Sequence, residues 1–318
     1  MNRKQQVKKA ISLQGPDYIP LLFVNKDKEQ SDIIIIDVVK HFMGPKENVS
    51  EWGFEWIRVD ETMGQPKQTI VEDYCDLEQL QVPSADDPDR FSHVREIQDK
   101  YNERYYIASL VLTGFTVMTF LRGFANTLQD FYINRAKVER LADTVFGFEE
   151  EIITRLSGHG FDAVAFYDDW GTQNNLFISP SLWREIFKPR YRKQFELAHE
   201  HGLDVYFHSC GYIYDIIPDL IDTGVDLLNL GQPNLYDIKE LGREFGGRTC
   251  FVCPVSYQTT AITGTKEDIY LEADNLIRHL GCFRGGLIGY IEEYHSIGMS
   301  DANYRHCIDA FRKLGVYT

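Results

Sequence analysis

Two hydrophobic rhythms alternate along the chain. Short runs rich in β-branched and aromatic residues are followed by longer stretches with apolar positions at helical spacing. The short runs are DYIPLLFV (17–24), FEWIRV (54–59), RYYIASLVL (104–112), DAVAFYDD (162–169), LDVYFHSC (203–210), VDLLNL (225–230), TCFVCPV (249–255) and GGLIGYI (285–291). Each predicts a strand, eight in all. Among the helical stretches, residues 179–202 open with Ser179 as a cap and Pro180 at the first helical position, and close on Gly202. Pro189 inside that stretch predicts a kink or a split. Residues 263–281 carry a capping box, Thr265 with Asp268, and a last helix is expected over 300–314.

Strand followed by helix, repeated, implies a parallel sheet with right-handed crossovers. Eight such units in 318 residues favour a closed (β/α)8 TIM barrel, class α/β, over an open sheet. The glycine-rich dinucleotide turn of an open nucleotide-binding sheet is missing. Residues 25–103 are long for two units and form an elaborated N-terminal segment. No repeat or linker divides the chain, so residues 1–318 are expected to form one domain.

Composition narrows the function. The net charge is −15 and no basic block occurs, which argues against nucleic acid or an anionic membrane as partner. No apolar run is long enough to span a bilayer, and the basic N-terminus lacks the apolar core of a secretory signal. A cytoplasmic location is expected. The six cysteines are sparse and show no disulfide framework; Cys75, Cys282 and Cys307 are expected to be packing residues. His159, His199, His201 and His279 lie at helix ends and turns, where solvated imidazoles are expected.

In a barrel the chemistry sits at the C-terminal ends of the strands, and side chains alternate faces along each strand. In 203–210, Val205 and Phe207 suit the helical shell, so Tyr206, His208 and Cys210 face inward. In 162–169, Val164 and Phe166 suit the shell, leaving Ala163, Ala165, Tyr167 and Asp169 inward. Asp169 and the His208-x-Cys210 pair therefore approach one cavity from adjacent strands. Imidazole and thiolate are zinc ligands, and a catalytic zinc takes three protein ligands with one position open. The third ligand is sought in Glu292, Glu293 and His295 after the last strand, with Cys253 as a further candidate. Coincidence in a strand is the competing explanation for His-x-Cys. Asp169 is the candidate proton donor, or orients a ligand. Asp168 is a second catalytic candidate, against a turn or capping role. Tyr167, Trp170 and Tyr206 are candidate pocket walls, against ordinary packing.

The segments 167–193, 206–211 (YFHSCG), 216–233 and 285–289 (GGLIG), with the opening 7–23, resemble the uroporphyrinogen decarboxylase superfamily over most of the chain. That resemblance implies a (β/α)8 barrel. The family's decarboxylases carry an Arg-Gln-Ala-Gly-Arg motif after the first strand, whose arginines bind substrate carboxylates; this chain has VNKDKEQ (24–30) there. Lys26 and Lys28 supply charge but not the planar bidentate fork. The resemblance implies instead the corrinoid-linked methyltransferases, in which His-x-Cys binds zinc together with a cysteine after the Gly-Gly of strand eight. His208 and Cys210 match. No cysteine lies within reach after Gly285-Gly286, so Glu292 and His295 are carried as replacements, a harder donor set suited to an ether or alcohol oxygen. The expected activity is zinc-dependent methyl transfer between a small methylated donor, such as a methoxylated aromatic in an O-demethylation, and a corrinoid carried by a partner protein. A uroporphyrinogen decarboxylase of porphyrin biosynthesis and a non-catalytic ligand-binding barrel are the alternatives.

Overall fold

The computed structural model describes residues 2–40, 48–57 and 64–317. Eight parallel strands form the barrel: β1 (Leu21–Val24), β2 (Ile33–Asp37), β3 (Tyr105–Ser109), β4 (Ala163–Tyr167), β5 (Asp204–Ser209), β6 (Leu227–Leu230), β7 (Cys250–Cys253) and β8 (Leu287–Glu292). The ladder runs β1-β8-β7-β6-β5-β4-β3-β2. Between β1 and β2 the gap is bridged just before β2, where the Asp32 amide donates to Leu21 O at 2.8 Å and the Asp32 carboxylate and Ser31 hydroxyl accept from the amides of Leu21 and Phe23. The fold is the expected TIM barrel.

Alternation along the strands divides the core in two. Val164, Phe166, Val205 and Phe207 are fully buried against the helices. Leu22, Ile33, Tyr105, Ala165, Tyr206, Val252 and Ile288 fill the interior, and Val7 and Ala10 of the N-terminal helix Arg3–Ile11 pack with them. The interior is therefore a packed core, and only the rim at the strands' C-terminal ends is free for chemistry.

One strand assignment is corrected. The second barrel strand is IIIID at 33–37, not FEWIRV. Trp56–Ile57 pairs antiparallel with Gln65–Pro66 in a small hairpin outside the barrel, and positions 58 and 59 lie outside the described residues. An isoleucine run without alternation suits a strand buried on both faces. Phe54 and Trp56 instead stack edge-on with Phe120 of the helix Gly114–Arg122. Within the 38–104 insertion the fully buried Arg90 ties Val38 O, Ser84 O and the Glu51 carboxylate together at 2.6–2.8 Å.

The helix signals hold. Ser179 accepts from the Leu182 amide, the helix breaks at Phe187 just before Pro189, and the Thr265–Asp268 capping box closes both ways. Cys307 is buried, but Cys75 and Cys282 are exposed, not packing residues. His199 is exposed as expected but held in a 2.8 Å contact with Asp226, whereas His159 stacks on Phe91 and is not simply solvated.

Candidate metal centre

The strand register aligns one row of residues at the rim: Tyr167 opposite His208, His208 opposite Asn229, Asn229 opposite Val252. Beyond this row β4 and β5 stay zipped together. The Asp168 amide donates to His208 O at 3.0 Å, the Cys210 amide to Asp169 Oδ1 at 2.7 Å, and the Tyr212 amide to Thr172 O at 2.7 Å. Such contact needs glycine on both sides. A side chain at Gly211, whose φ is +79°, would overlap the backbone of Gly171, and one at Gly171 would overlap Gly211 and Tyr212. The two loops therefore present Asp169 and Cys210 side by side.

Asp169, His208 and Cys210 are the cluster of potential metal ligands among the described residues, with one donor atom from each within 4.8 Å of the others. His208 Nε2 lies 3.5 Å from Cys210 Sγ and 3.7 Å from Asp169 Oδ1. Tetrahedral zinc, with bonds of about 2.0–2.3 Å, places its ligand atoms about 3.3–3.8 Å apart. The donor spacing thus fits zinc, with a fourth position left over. Asn229 sets the imidazole. Its Nδ2 donates to Val252 O at 2.6 Å, which turns Oδ1 toward His208 Nδ1 at 2.5 Å. Nδ1 then carries the proton, and the Nε2 lone pair faces Cys210 and Asp169. Burial opposes charge on His208, but Cys210, Asp169 and Asn229 outweigh it and raise its pKa to about 9. The cluster attracts positive charge, and a metal must displace a proton there at neutral pH.

The other expected ligands stand elsewhere. Glu292 faces the mouth from β8 and is half-buried, but its Oε2 accepts from Tyr290 and Tyr294 at 2.8 and 2.7 Å, and Oε1 accepts from Asn25. His295 pairs with Glu293 and with Asp301. Neither joins the cluster; Asp169, read as the proton donor, occupies the third ligand's place. Cys253 is fully buried among the residues packed against the helices, facing away from the rim.

Asp168 is fully buried and caps the helix Gly114–Arg122. Its carboxylate accepts from the amides of Phe115 and Thr116 at 2.9 and 2.8 Å, from the Thr116 hydroxyl, and from Tyr191. Burial, only partly offset by these donors, raises it to about 7. Its oxygens are committed to the helical shell, so the capping alternative describes its place. Trp170 also turns outward. It is fully buried, stacked on Phe115 at 4.4 Å, with Nε1 donating to Tyr191. Tyr167 does reach the rim, 5.1 Å from the His208 ring, while Tyr206 lies below it in the interior, its ring 5.9 Å from that of Tyr167. Asn229 and Tyr257 were not foreseen. Asn229 had a signal: a polar residue at an inward position of LLNL. Tyr257, stacked on Tyr294 at 4.5 Å, has its pKa raised by burial and then by neighbouring Cys210.

Next to the cluster, a cavity of about 340 Å³ opens between the ends of β1, β2, β3 and β4. Phe23, Val24, Ile34, Ile35, Val111, Leu112 and Tyr167 give it an apolar body; Asn25, Lys28, Asp37 and Ser109 are its polar groups. Tyr167 belongs to both the cavity wall and the rim row beside His208.

The profile of the uroporphyrinogen decarboxylase (URO-D) family matches residues 53–291. The chain belongs to the uroporphyrinogen decarboxylase family. Within the URO-D fold it is similar in structure to a methyltransferase from Methanosarcina mazei, with a TM-score of 0.72 over 98% of this chain and 99% of that one, at 14% identity. Two chitinases, from Flavobacterium johnsoniae and Chromobacterium violaceum, overlay on it with TM-scores of only 0.40 and 0.42, at 10% and 8% identity, over 70% and 92% of this chain and 80% and 98% of theirs. No curated relative matches the sequence. No described helix of this URO-D family member is long and apolar enough to cross a membrane.

Proposed function

We propose that this URO-D family member is a zinc-dependent methyltransferase of the corrinoid-linked branch. Residues 1–318 act as one barrel domain, moving a methyl group between a small methylated donor and the cobalt of a separate corrinoid protein. The observation that carries this reading is the convergence of Asp169, His208 and Cys210 at the barrel rim. His208 Nε2, Cys210 Sγ and Asp169 Oδ1 would hold the ion, and Asn229 fixes the imidazole that does so. When bound, zinc supplies Lewis acidity toward the donor's oxygen, making it a better leaving group. The apolar cavity beside Tyr167 binds the donor's body and keeps water from it. The similarity in fold to the Methanosarcina mazei methyltransferase supports the same direction. Decarboxylation of a tetrapyrrole with eight carboxylates fits poorly, because among the described residues Lys28 is the one cation lining the cavity and no arginine lines it.

The test joins metal content to activity. Purified protein is expected to carry about one zinc per chain. Cys210→Ala should lose it, and His295→Ala should keep it. Transfer is followed by the absorbance change as cob(I)alamin becomes methylcobalamin. Metal-free wild-type protein that transfers methyl groups at the full rate overturns the proposal.

A further inference from the structure

Four consecutive amides of the loop that carries Cys210 are each held by a different group. Those of Cys210, Gly211, Tyr212 and Ile213 donate in turn to Asp169 Oδ1, Gln232 Oε1, Thr172 O and the Tyr236 hydroxyl, at 2.7, 2.7, 2.7 and 3.0 Å. Two of these partners come from one short segment after β6. Gln232 and Tyr236 flank the 3-10 turn Pro233–Leu235, and each is only 7% exposed. Together they grip Gly211 from both ends. Gln232 accepts from its amide, and the Tyr236 hydroxyl donates to its carbonyl at 2.7 Å while accepting from Ile213. A phenol that donates once and accepts once has a fixed hydroxyl direction. The Tyr236 ring also stacks on Tyr212 at 5.3 Å. The same segment makes room for the cluster at Gly231, where a Cβ would stand 3.1 Å from His208 Cε1 and 3.4 Å from Cys210 Sγ.

These hydrogen bonds act on the peptide that follows Cys210, not on its sulfur. Gly211 has no side chain to restrict it and sits in the left-handed region. Left free, a loop around such a residue carries its neighbouring thiol through many positions, and ordering it on metal binding lowers affinity. Held from both sides, the loop keeps Cys210 Sγ 3.5 Å from His208 Nε2, the separation a tetrahedral ion needs.

We infer that Gln232 and Tyr236 are positioning residues that preset the Cys210 thiolate for the metal. The segment after β6 then supports the sulfur ligand as Asn229 supports the nitrogen ligand. The inference rests on the zinc reading of the cluster and is independent of which group is transferred.

The experiment titrates cobalt(II) chloride into chelator-treated full-length protein. Cobalt(II) occupies tetrahedral zinc sites and reports a bound thiolate by a charge-transfer band in the near ultraviolet. Wild type is expected to bind about one cobalt per chain with that band, and Cys210→Ala to lack it. Tyr236→Phe removes the hydroxyl from both of its bonds. Gln232→Met removes the acceptor of the Gly211 amide at nearly constant side-chain length. Each should weaken cobalt binding by about 10-fold or more and, at saturating cobalt, reduce the band's absorbance per bound ion. Gln232→Glu keeps an oxygen for the Gly211 amide and should restore both. Circular dichroism and thermal unfolding of the metal-free variants establish that the barrel is folded at the titration temperature; if Tyr236→Phe does not fold, the two Gln232 variants decide. A general loss of stability lowers the melting temperature but leaves the band per bound ion unchanged. Weaker binding with an unaltered band therefore overturns the inference, as does wild-type affinity and band in the folded variants, or a Gln232→Glu protein as weak as Gln232→Met. Wild-type protein that binds cobalt equally well without Cys210 overturns the zinc reading along with the inference. Cobalt binding that depends on Gln232 and Tyr236, with no transfer to cob(I)alamin by the zinc-loaded protein, sustains the inference and removes the methyltransferase reading.

Discussion

Asn229→Ala separates orientation of a ligand from its presence. Asn229 is 1% exposed and touches no proposed metal position; it acts only through His208 Nδ1 and Val252 O. Removing it deletes a buried hydrogen bond to the imidazole, worth about 1–3 kcal/mol when its partner is left unsatisfied. At about 1.4 kcal/mol per decade, zinc affinity should fall about 5- to 150-fold. Loss of outer-shell partners of metal-bound histidines elsewhere spans about 10- to 100-fold. The Val252 carbonyl also loses its donor, so the metal-free variant should unfold a few degrees earlier. The two effects are read separately, the first by competition for zinc against a chromophoric chelator, the second by thermal unfolding of chelator-treated protein. Loss of the Asn229 bond also lowers the imidazole's proton affinity, which eases zinc entry at pH 7.5. A repeat near pH 9, where the imidazole is about half protonated, isolates the orientation effect. A folded variant with wild-type zinc affinity at both pH values refutes the claim that this amide sets the Nε2 lone pair.

Two further perturbations bear on how the site is held. Gly211→Ala forces the loops after β4 and β5 apart at their backbone contact, and also places a side chain at φ +79°. It should destabilise the fold by about 2 kcal/mol or more and weaken zinc binding, measured by denaturant unfolding and chelator competition; unchanged values for both would show that the loops are not wedged together. Glu149, fully buried behind the helix Gly114–Arg122, accepts from the Gly114 amide and from Gln194, and burial raises its pKa from 4.5 to about 8. The native state then binds a proton that the unfolded chain releases above about pH 4.5, so stability should fall as pH rises from about 4.5 to 8 and level off beyond. Asp168 adds in the same direction up to about pH 7. Glu149→Gln should flatten part of that slope in urea unfolding followed across pH, and an identical slope in the variant would contradict the raised pKa.

The reach of the sequence ends where the strands do. Alternation places Tyr206, His208, Ala165 and Tyr167 on the inner face because a strand's side-chain period of two is imposed by the backbone. It extends to Asp169 and Cys210 because the ladder continues past β4, the Asp168 amide still bonding His208 O. One residue later the Trp170 amide bonds the Ser209 hydroxyl instead, the chain leaves the sheet, and its side chain swings into the helical shell. That is the side the strand's phase assigns to position 170, in step with Val164 and Phe166, so alternation itself speaks against Trp170 as a pocket wall. The sequence points for the third ligand to the end of β8 and the loop after it, in Glu292 and His295, because nothing in one strand's pattern tells how two neighbouring loops will touch. That contact depends on Gly171 meeting Gly211, 40 positions away, and on Asp169 capturing the Cys210 amide. The second barrel strand was missed for the opposite reason. IIIID has no alternation to detect, because a parallel strand covered on both faces has no polar side to show. Asp168 and Asp169 make the same point in the smallest compass. Two identical side chains, adjacent in the chain, are assigned to a helix cap and to the rim solely by which face of β4 each leaves from.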